Sequence, residues 1–189
     1  MENQWIAGNR GMKKIVAVFG ALSTVLFMVH LGFACVYYAG LMPYSYIHMS
    51  IGGVLSIVMS VHMLFAIILM VRNRQRDKKA KTYPGLNGSM MLQFATGILT
   101  GVFLLLHVLV IELNKSLDGV WLNLIYGAVE LLFILIVSVH IAVSVPKHFI
   151  SMGWIRQRAA YPLIQRRTNI FLALMFVLYA GSQIRFWTV

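Results

Sequence analysis

Apolar residues fill five blocks of the chain, and polar and charged residues gather between them. Crossing a hydrocarbon core as an α-helix takes about 20 residues. The blocks near 14–38, 50–71, 90–113, 120–145 and 169–187 are long enough, and each predicts a transmembrane helix. Two of them carry a histidine in nearly the same setting: SVHMLFA from Ser60 to Ala66 returns as SVHIAVS from Ser138 to Ser144. The four prolines, Pro43, Pro84, Pro146 and Pro162, are expected at or beyond helix ends, leaving the spans unbroken.

Composition agrees with that pattern. Of 189 residues, 60% are apolar and 11% charged, and the mean hydropathy is +0.80, outside the range of soluble domains. The expected fold is an all-α integral membrane protein of five helices, a single membrane domain over 1–189. It would hold a first helical hairpin at 14–71, a second at 90–145 and a fifth helix at 169–187. The apolar run after Lys13 and Lys14 is too long for the core of a signal peptide and lacks a small-residue cleavage site, so it is read as the first helix.

Charge orients the spans. Arg10, Lys13 and Lys14 precede the first, VRNRQRDKKAK joins the second to the third, and Lys147, Arg156, Arg158, Arg166 and Arg167 lie between the fourth and fifth. Only Lys115 and Arg185 fall on the other side. The positive-inside rule then predicts a cytoplasmic amino terminus and an external carboxyl terminus in a cytoplasmic (inner) membrane. The net charge of +11 is thus mostly a topology signal; it suits a protein or anionic-lipid surface, and no nucleic-acid binding is read from it. Cys35 is the single cysteine, so an internal disulfide, a CxxC site and a covalently attached haem are all excluded.

The first two spans resemble the next two. Gly20-Ala-Leu-Ser-Thr-Val25 matches Gly97-Ile-Leu-Thr-Gly-Val102 at an offset of 77, which also carries His30 onto His107; an offset of 78 carries Ser60-Val-His62 onto Ser138-Val-His140. A duplicated hairpin explains this most simply. Each unit crosses twice, so its copy enters the membrane in the same direction and equivalent residues share a depth. His30 and His107 follow about 16 residues of helix, roughly 24 Å, and belong to the outer half. His62 and His140 precede Arg72 and Lys147 and belong to the inner half.

An ionisable side chain inside a bilayer is a functional candidate by default. Zinc usually takes about three or four converging ligands, thiolates or carboxylates among them, whereas this chain offers two histidines per level. Two neutral imidazoles facing each other are the axial set of a b-type haem, with His30 and His107 on one iron and His62 and His140 on the other. Such an iron has no open position for oxygen, which suits electron transfer. Small residues would make room for the macrocycle: Gly20, Ser23, Gly97 and Thr100 toward the inner pair, Gly52 and Gly53 toward the outer. His48 and His148 are expected at the interfaces, meeting solvent or a haem propionate, and are not first choices as ligands.

These residues resemble the di-haem cytochrome b membrane anchor of the succinate:quinone oxidoreductase family, which includes succinate dehydrogenases and fumarate reductases. In that family each of the first four helices supplies one haem ligand, first paired with third and second with fourth, and the fifth supplies none. Here His30, His62, His107 and His140 fall in that order and the fifth span has no histidine; the resemblance covers most of the chain. It implies two b-type haems in the bundle of the first four helices, and a role as the quinone-reactive electron-transfer subunit of an oxidoreductase complex. The substrate would be menaquinone or ubiquinone. The chain has no GxGxxG loop for a flavin and no cysteine set for an iron–sulfur cluster, so the resemblance implies cytoplasmic flavoprotein and iron–sulfur partners. Arg72, Arg74, Arg76, Arg156 and Arg158 would dock the latter.

Quinone chemistry exchanges protons, so its pocket needs acids, bases or hydrogen-bond donors beside an apolar slot. The outer ends offer Tyr37, Tyr44, His48, Glu112, Asp118, Trp121, Asn123 and Tyr126, although such aromatics also form interfacial belts. Glu130 lies well inside the fourth span, where a carboxyl group is expensive; it is read as a proton relay or quinone contact, or as a structural hydrogen-bonding group. Two further readings stay open: the cytochrome b subunit of another quinone-linked enzyme, such as a hydrogenase or formate dehydrogenase, and a small transporter with a His/Glu path.

Overall fold

In the computed structural model, which describes residues 2–43, 45–76, 84–116, 120–154 and 160–188, the chain forms five α-helices. They are α1 (Glu2–Tyr38), α2 (Tyr46–Arg76), α3 (Pro84–Ser116), α4 (Val120–Ser151) and α5 (Ala160–Thr188). All five are long and apolar enough to cross a membrane, over Gly11–Tyr38, Tyr46–Arg72, Met90–Leu113, Asn123–Phe149 and Ala160–Phe186. Every expected span is therefore a helix, and all five helices reach past the limits read from hydropathy at one end or both.

The outer faces are apolar because lipid is their solvent. Val18, Leu22, Val25 and Val29 recur at helical spacing along the exposed side of α1, and Ile170, Leu174, Val177 and Leu178 do so on α5. The core lies on the opposite sides: Phe27, Leu31, Ala34 and Tyr38 of α1 meet Phe133, Ile134, Val137 and Ile141 of α4, closed by Leu55 and Met59 of α2 and by Leu172 and Tyr179 of α5. α1 packs along α2 and α3 along α4, α5 lies against α1 and α4, and α2 and α3 meet only lightly. Where they do, Met63 rests on Gly101 so closely that a β-carbon there would displace the thioether.

Two helices stop in the same way. Gly40 (φ +69°) follows α1, with Leu41 N–H donating to Val36 O at 3.1 Å and Gly40 N–H to Tyr37 O at 2.9 Å. This is a Schellman cap, which needs a left-handed residue that glycine adopts without strain. Gly153 (φ +78°) takes the same place after α4: Trp154 N–H donates to Phe149 O at 2.9 Å, and the two rings pack at 5.3 Å as the apolar contact of the cap.

Pro146 corrects one expectation. It lies inside α4, which runs through it as continuous helix. Proline has no N–H, so the carbonyl of Ala142 loses its partner one turn back. Gln165 of α5 replaces it, donating from Nε2 to Ala142 O at 2.7 Å. Neighbouring helices commonly repair a proline in this way inside membranes. Gln165→Leu should strand that carbonyl and cost about 1–2 kcal/mol of stability. In a Pro146→Ala background the restored N–H takes over the carbonyl, and the same substitution should cost much less. Unfolding of the four proteins of this cycle in detergent measures the difference.

Candidate functional site

The buried histidines form two clusters, one toward each end of the bundle. At the first, which we call the His62 level, His62 of α2 and His140 of α4 line a single cavity of about 440 Å³ together with His148 of α4. α1 and α3 close its other sides, with Gly20, Ser23, Gly97 and Thr100 in the wall.

Both imidazoles are held from behind by the neighbouring helix. His62 Nδ1–H donates to the carbonyl of Val16 at 3.1 Å, and His140 Nδ1–H donates to the carbonyl of Gln93 at 3.1 Å. A carbonyl oxygen only accepts, so Nδ1 carries the proton in each ring and the lone pair lies on Nε2. For His140, the contact at Nε2 is a long one, 3.5 Å to Ser144 Oγ. Val16 and Gln93 are separated by 77 residues, the same offset that relates the two hairpins. The pair of glycines behaves alike. A β-carbon at Gly20 would stand 2.9 Å from His62 Cε1 and closer still to His148, and one at Gly97 would stand 3.1 Å from His140 Cε1. Each glycine therefore lets a histidine ring approach a helix backbone.

Several polar atoms at this level have no partner in the protein: Ser23 Oγ, Thr100 Oγ1 and His148 Nδ1 are buried without a hydrogen bond. Buried polar groups are normally paired, so three such atoms in the wall of one cavity set it apart from the apolar core. Lys147 lies beside it, donating from Nζ to Gln93 Oε1 at 2.9 Å. Sequence reasoning assigned Lys147 to the connection after α4; it belongs to the apolar part of the helix.

At the second cluster, the His107 level, His30 of α1, His48 of α2 and His107 of α3 lie within electrostatic reach of one another. The His30 and His48 rings meet edge to face at 4.4 Å. Gly52 again permits close approach, since its β-carbon would sit 2.9 Å from His30 Cε1, whereas Gly53 faces open space. His107 Nδ1–H donates to Glu130 Oε1 at 2.5 Å, and its ring packs on Phe133 at 5.5 Å. Glu130 is 4% exposed. Its second oxygen accepts from the Tyr179 hydroxyl at 3.5 Å, and Tyr179 in turn accepts from Gln183 Nε2 at 2.8 Å. Tyr38 and Tyr126 share a hydrogen bond of 2.6 Å, and the Tyr38 ring abuts Tyr179 at 5.9 Å.

His30 and His107 thus share one level and His62 and His140 the other. His48 and His148 lie at the ends of the apolar spans of α2 and α4, but at 8% and 7% exposed they are covered by the bundle rather than by solvent and sit inside the clusters. Of the proposed proton and quinone contacts, Glu130, His48 and Tyr126 come together near His107. Glu112 and Trp121 are on exposed surface, and Tyr44, Asp118, Arg156 and Arg158 lie outside the described residues. Tyr179 and Gln183 of α5 were missed, although they are among the most buried side chains. Their spacing of four residues on one helix face was a usable signal. Among the described residues, no three His, Cys, Asp or Glu side chains converge as a ready-made metal site.

The chain is therefore an all-helical, multi-pass membrane protein with a histidine cluster toward each end of its bundle. No family model, curated protein or solved structure matches it.

Proposed function

We propose that this chain is a di-haem b-type cytochrome that carries electrons between a cytoplasmic flavoprotein and iron–sulfur partner, of the succinate dehydrogenase or fumarate reductase kind, and a membrane quinone. One observation carries the reading. Two histidines at equivalent places of a repeated hairpin turn their Nδ1 protons to main-chain carbonyls, presenting Nε2 lone pairs at one cavity between four helices. Histidines that bind metals through one nitrogen are held in this way through the other.

At the His62 level the residues present fit the group. About 440 Å³ lies within the range of cofactor pockets. Gly20 and Gly97 keep the wall thin, and the unpaired Ser23, Thr100 and His148 atoms, with Lys147 beside them, suit a ligand that has an apolar body and anionic substituents. A b-type haem held by two imidazoles supplies a one-electron couple closed to oxygen. His62 and His140 would hold one and His30 and His107 the other, and the apolar core between the levels excludes water. At the His107 level, Glu130, His48 and the tyrosines would provide hydrogen bonds for a quinone head group. The transporter reading has less support, because α4 passes Pro146 unbroken and the buried polar groups form two separate clusters rather than one path.

The test is a pyridine haemochrome assay on the chain purified in detergent from haem-replete cells, with oxidised and dithionite-reduced spectra. The expected result is about two b haems per chain, both of the six-coordinate, low-spin type. A stable, correctly inserted but colourless protein would remove the cytochrome reading and return the transporter to first place.

A further inference from the structure

The cavity at the His62 level is not walled equally on all sides. α1 packs along α2, α3 along α4 and α1 against α4, whereas α2 and α3 touch only lightly. Among the described residues of the lining, the exposed ones are Ile67 of α2 and Met90, Phe94 and Ile98 of α3. Phe27, Met59, Val137 and Ile141 line the same cavity and are buried, so facing the cavity does not by itself expose a side chain. The exposed four mark the rim of an opening between α2 and α3. Met90, Phe94 and Ile98 recur every four residues as one stripe of α3, and the whole rim falls within the apolar spans Tyr46–Arg72 and Met90–Leu113. The opening therefore faces hydrocarbon and not water. Ser23 Oγ and His148 Nδ1, buried without partners, belong to α1 and α4 on the far side of the cavity.

Building on the haem reading, we infer that the slot between α2 and α3 is a lateral entrance through which haem reaches His62 and His140 from the lipid, with Met63 as its latch. Helices in a bilayer are held together by packing, because acyl chains are as apolar as the side chains they would replace. The seam with the least packing is the one that parts most readily. Met63 spans that seam, its thioether lying against Gly101 of α3, where a β-carbon would displace it. Methionine suits a contact that must open: its unbranched side chain turns about three bonds and fits gaps of changing shape. Met70 and Met90 line the cavity from the two sides of the slot. A flat molecule with apolar faces can pass edge-on between α2 and α3 without unpacking α1 from α4, where the core of the bundle lies.

The experiment uses the full chain, prepared without haem and placed in lipid vesicles, in a His30→Ala background that leaves the His62-level centre alone. Haemin is added to the lipid, and its uptake is followed by absorption. Met63→Ala should load about tenfold faster, and Phe94→Trp, which adds bulk at the rim, about tenfold slower. Both should end at the haem content of the parent, because they change the way in and not the ligands. Val25→Trp, on the exposed side of α1, should leave the rate unchanged. A second readout needs no haem: a small aryl diazirine dissolved in the bilayer is photolysed, and its adducts are mapped by mass spectrometry. Phe27, Val137 and Ile141 should be labelled although they are buried in the bundle, and Phe94→Trp should reduce that labelling. Equal loading rates in the parent, Met63→Ala and Phe94→Trp, or a far wall without adducts, overturn the entrance. A labelled far wall in a chain that never takes up haemin is a separate outcome, which overturns the cytochrome reading and haem as the occupant while supporting the opening itself.

Discussion

His62→Ala is expected to lower the haem content from about two to about one per chain, and His140→Ala to do the same. The double variant should lose no more than either single one. Residues that act on one shared ligand are strongly non-additive, whereas residues at independent sites add. Combining His62→Ala with His107→Ala should therefore remove both haems. Haemochrome counts on the four proteins test the pairing as well as the ligands. If His62→Ala and His140→Ala each removed a different haem, the cavity they share would not be one site. The five-helix fold should survive His62→Ala and His140→Ala, because the apolar packing of α1 against α4 and α5 uses neither side chain.

His107→Leu is expected to destabilise the protein itself, with or without a cofactor. Glu130 is buried and takes its principal hydrogen bond from His107 Nδ1–H. Removing that donor leaves a carboxyl group facing an apolar side chain, with the Tyr179 hydroxyl at 3.5 Å as its remaining bond. Breaking one side of such a buried pair costs about 3–5 kcal/mol, while replacing both sides with well-packed apolar groups is often close to neutral. The double variant His107→Leu/Glu130→Leu should therefore recover most of the loss. Thermal unfolding in detergent, followed by helicity, measures both. A double variant as unstable as the single one would mean that shape, and not the stranded carboxyl, carries the penalty.

The resemblance of the two hairpins was legible in GALSTV and GILTGV and in the two SVH stretches, and it predicted which histidines would share a depth. Hydropathy did not say which face of each helix turns inward. In a soluble protein the polar face marks the outside, but lipid is as apolar as a protein interior, so Val25 on the lipid side and Leu31 in the core read alike. This is why Tyr179 and Gln183 went unnoticed at the centre of the bundle. The burial of His48 and His148 was hidden for a related reason: span limits drawn from hydropathy stop where polar residues begin, even when the helix goes on and its polar residues are covered by neighbours.

By itself the sequence determined the solvent, the number of helices and the heights of the four central histidines along them, because long apolar blocks fold as helices in a bilayer and a helix converts residue number directly into height. Only the tertiary structure decided what those residues meet. The bond from His62 to Val16, from His140 to Gln93, from His107 to Glu130, and from Gln165 to the carbonyl freed by Pro146 all join separate helices. Such pairs depend on how each helix is rotated about its axis, and packing sets that rotation.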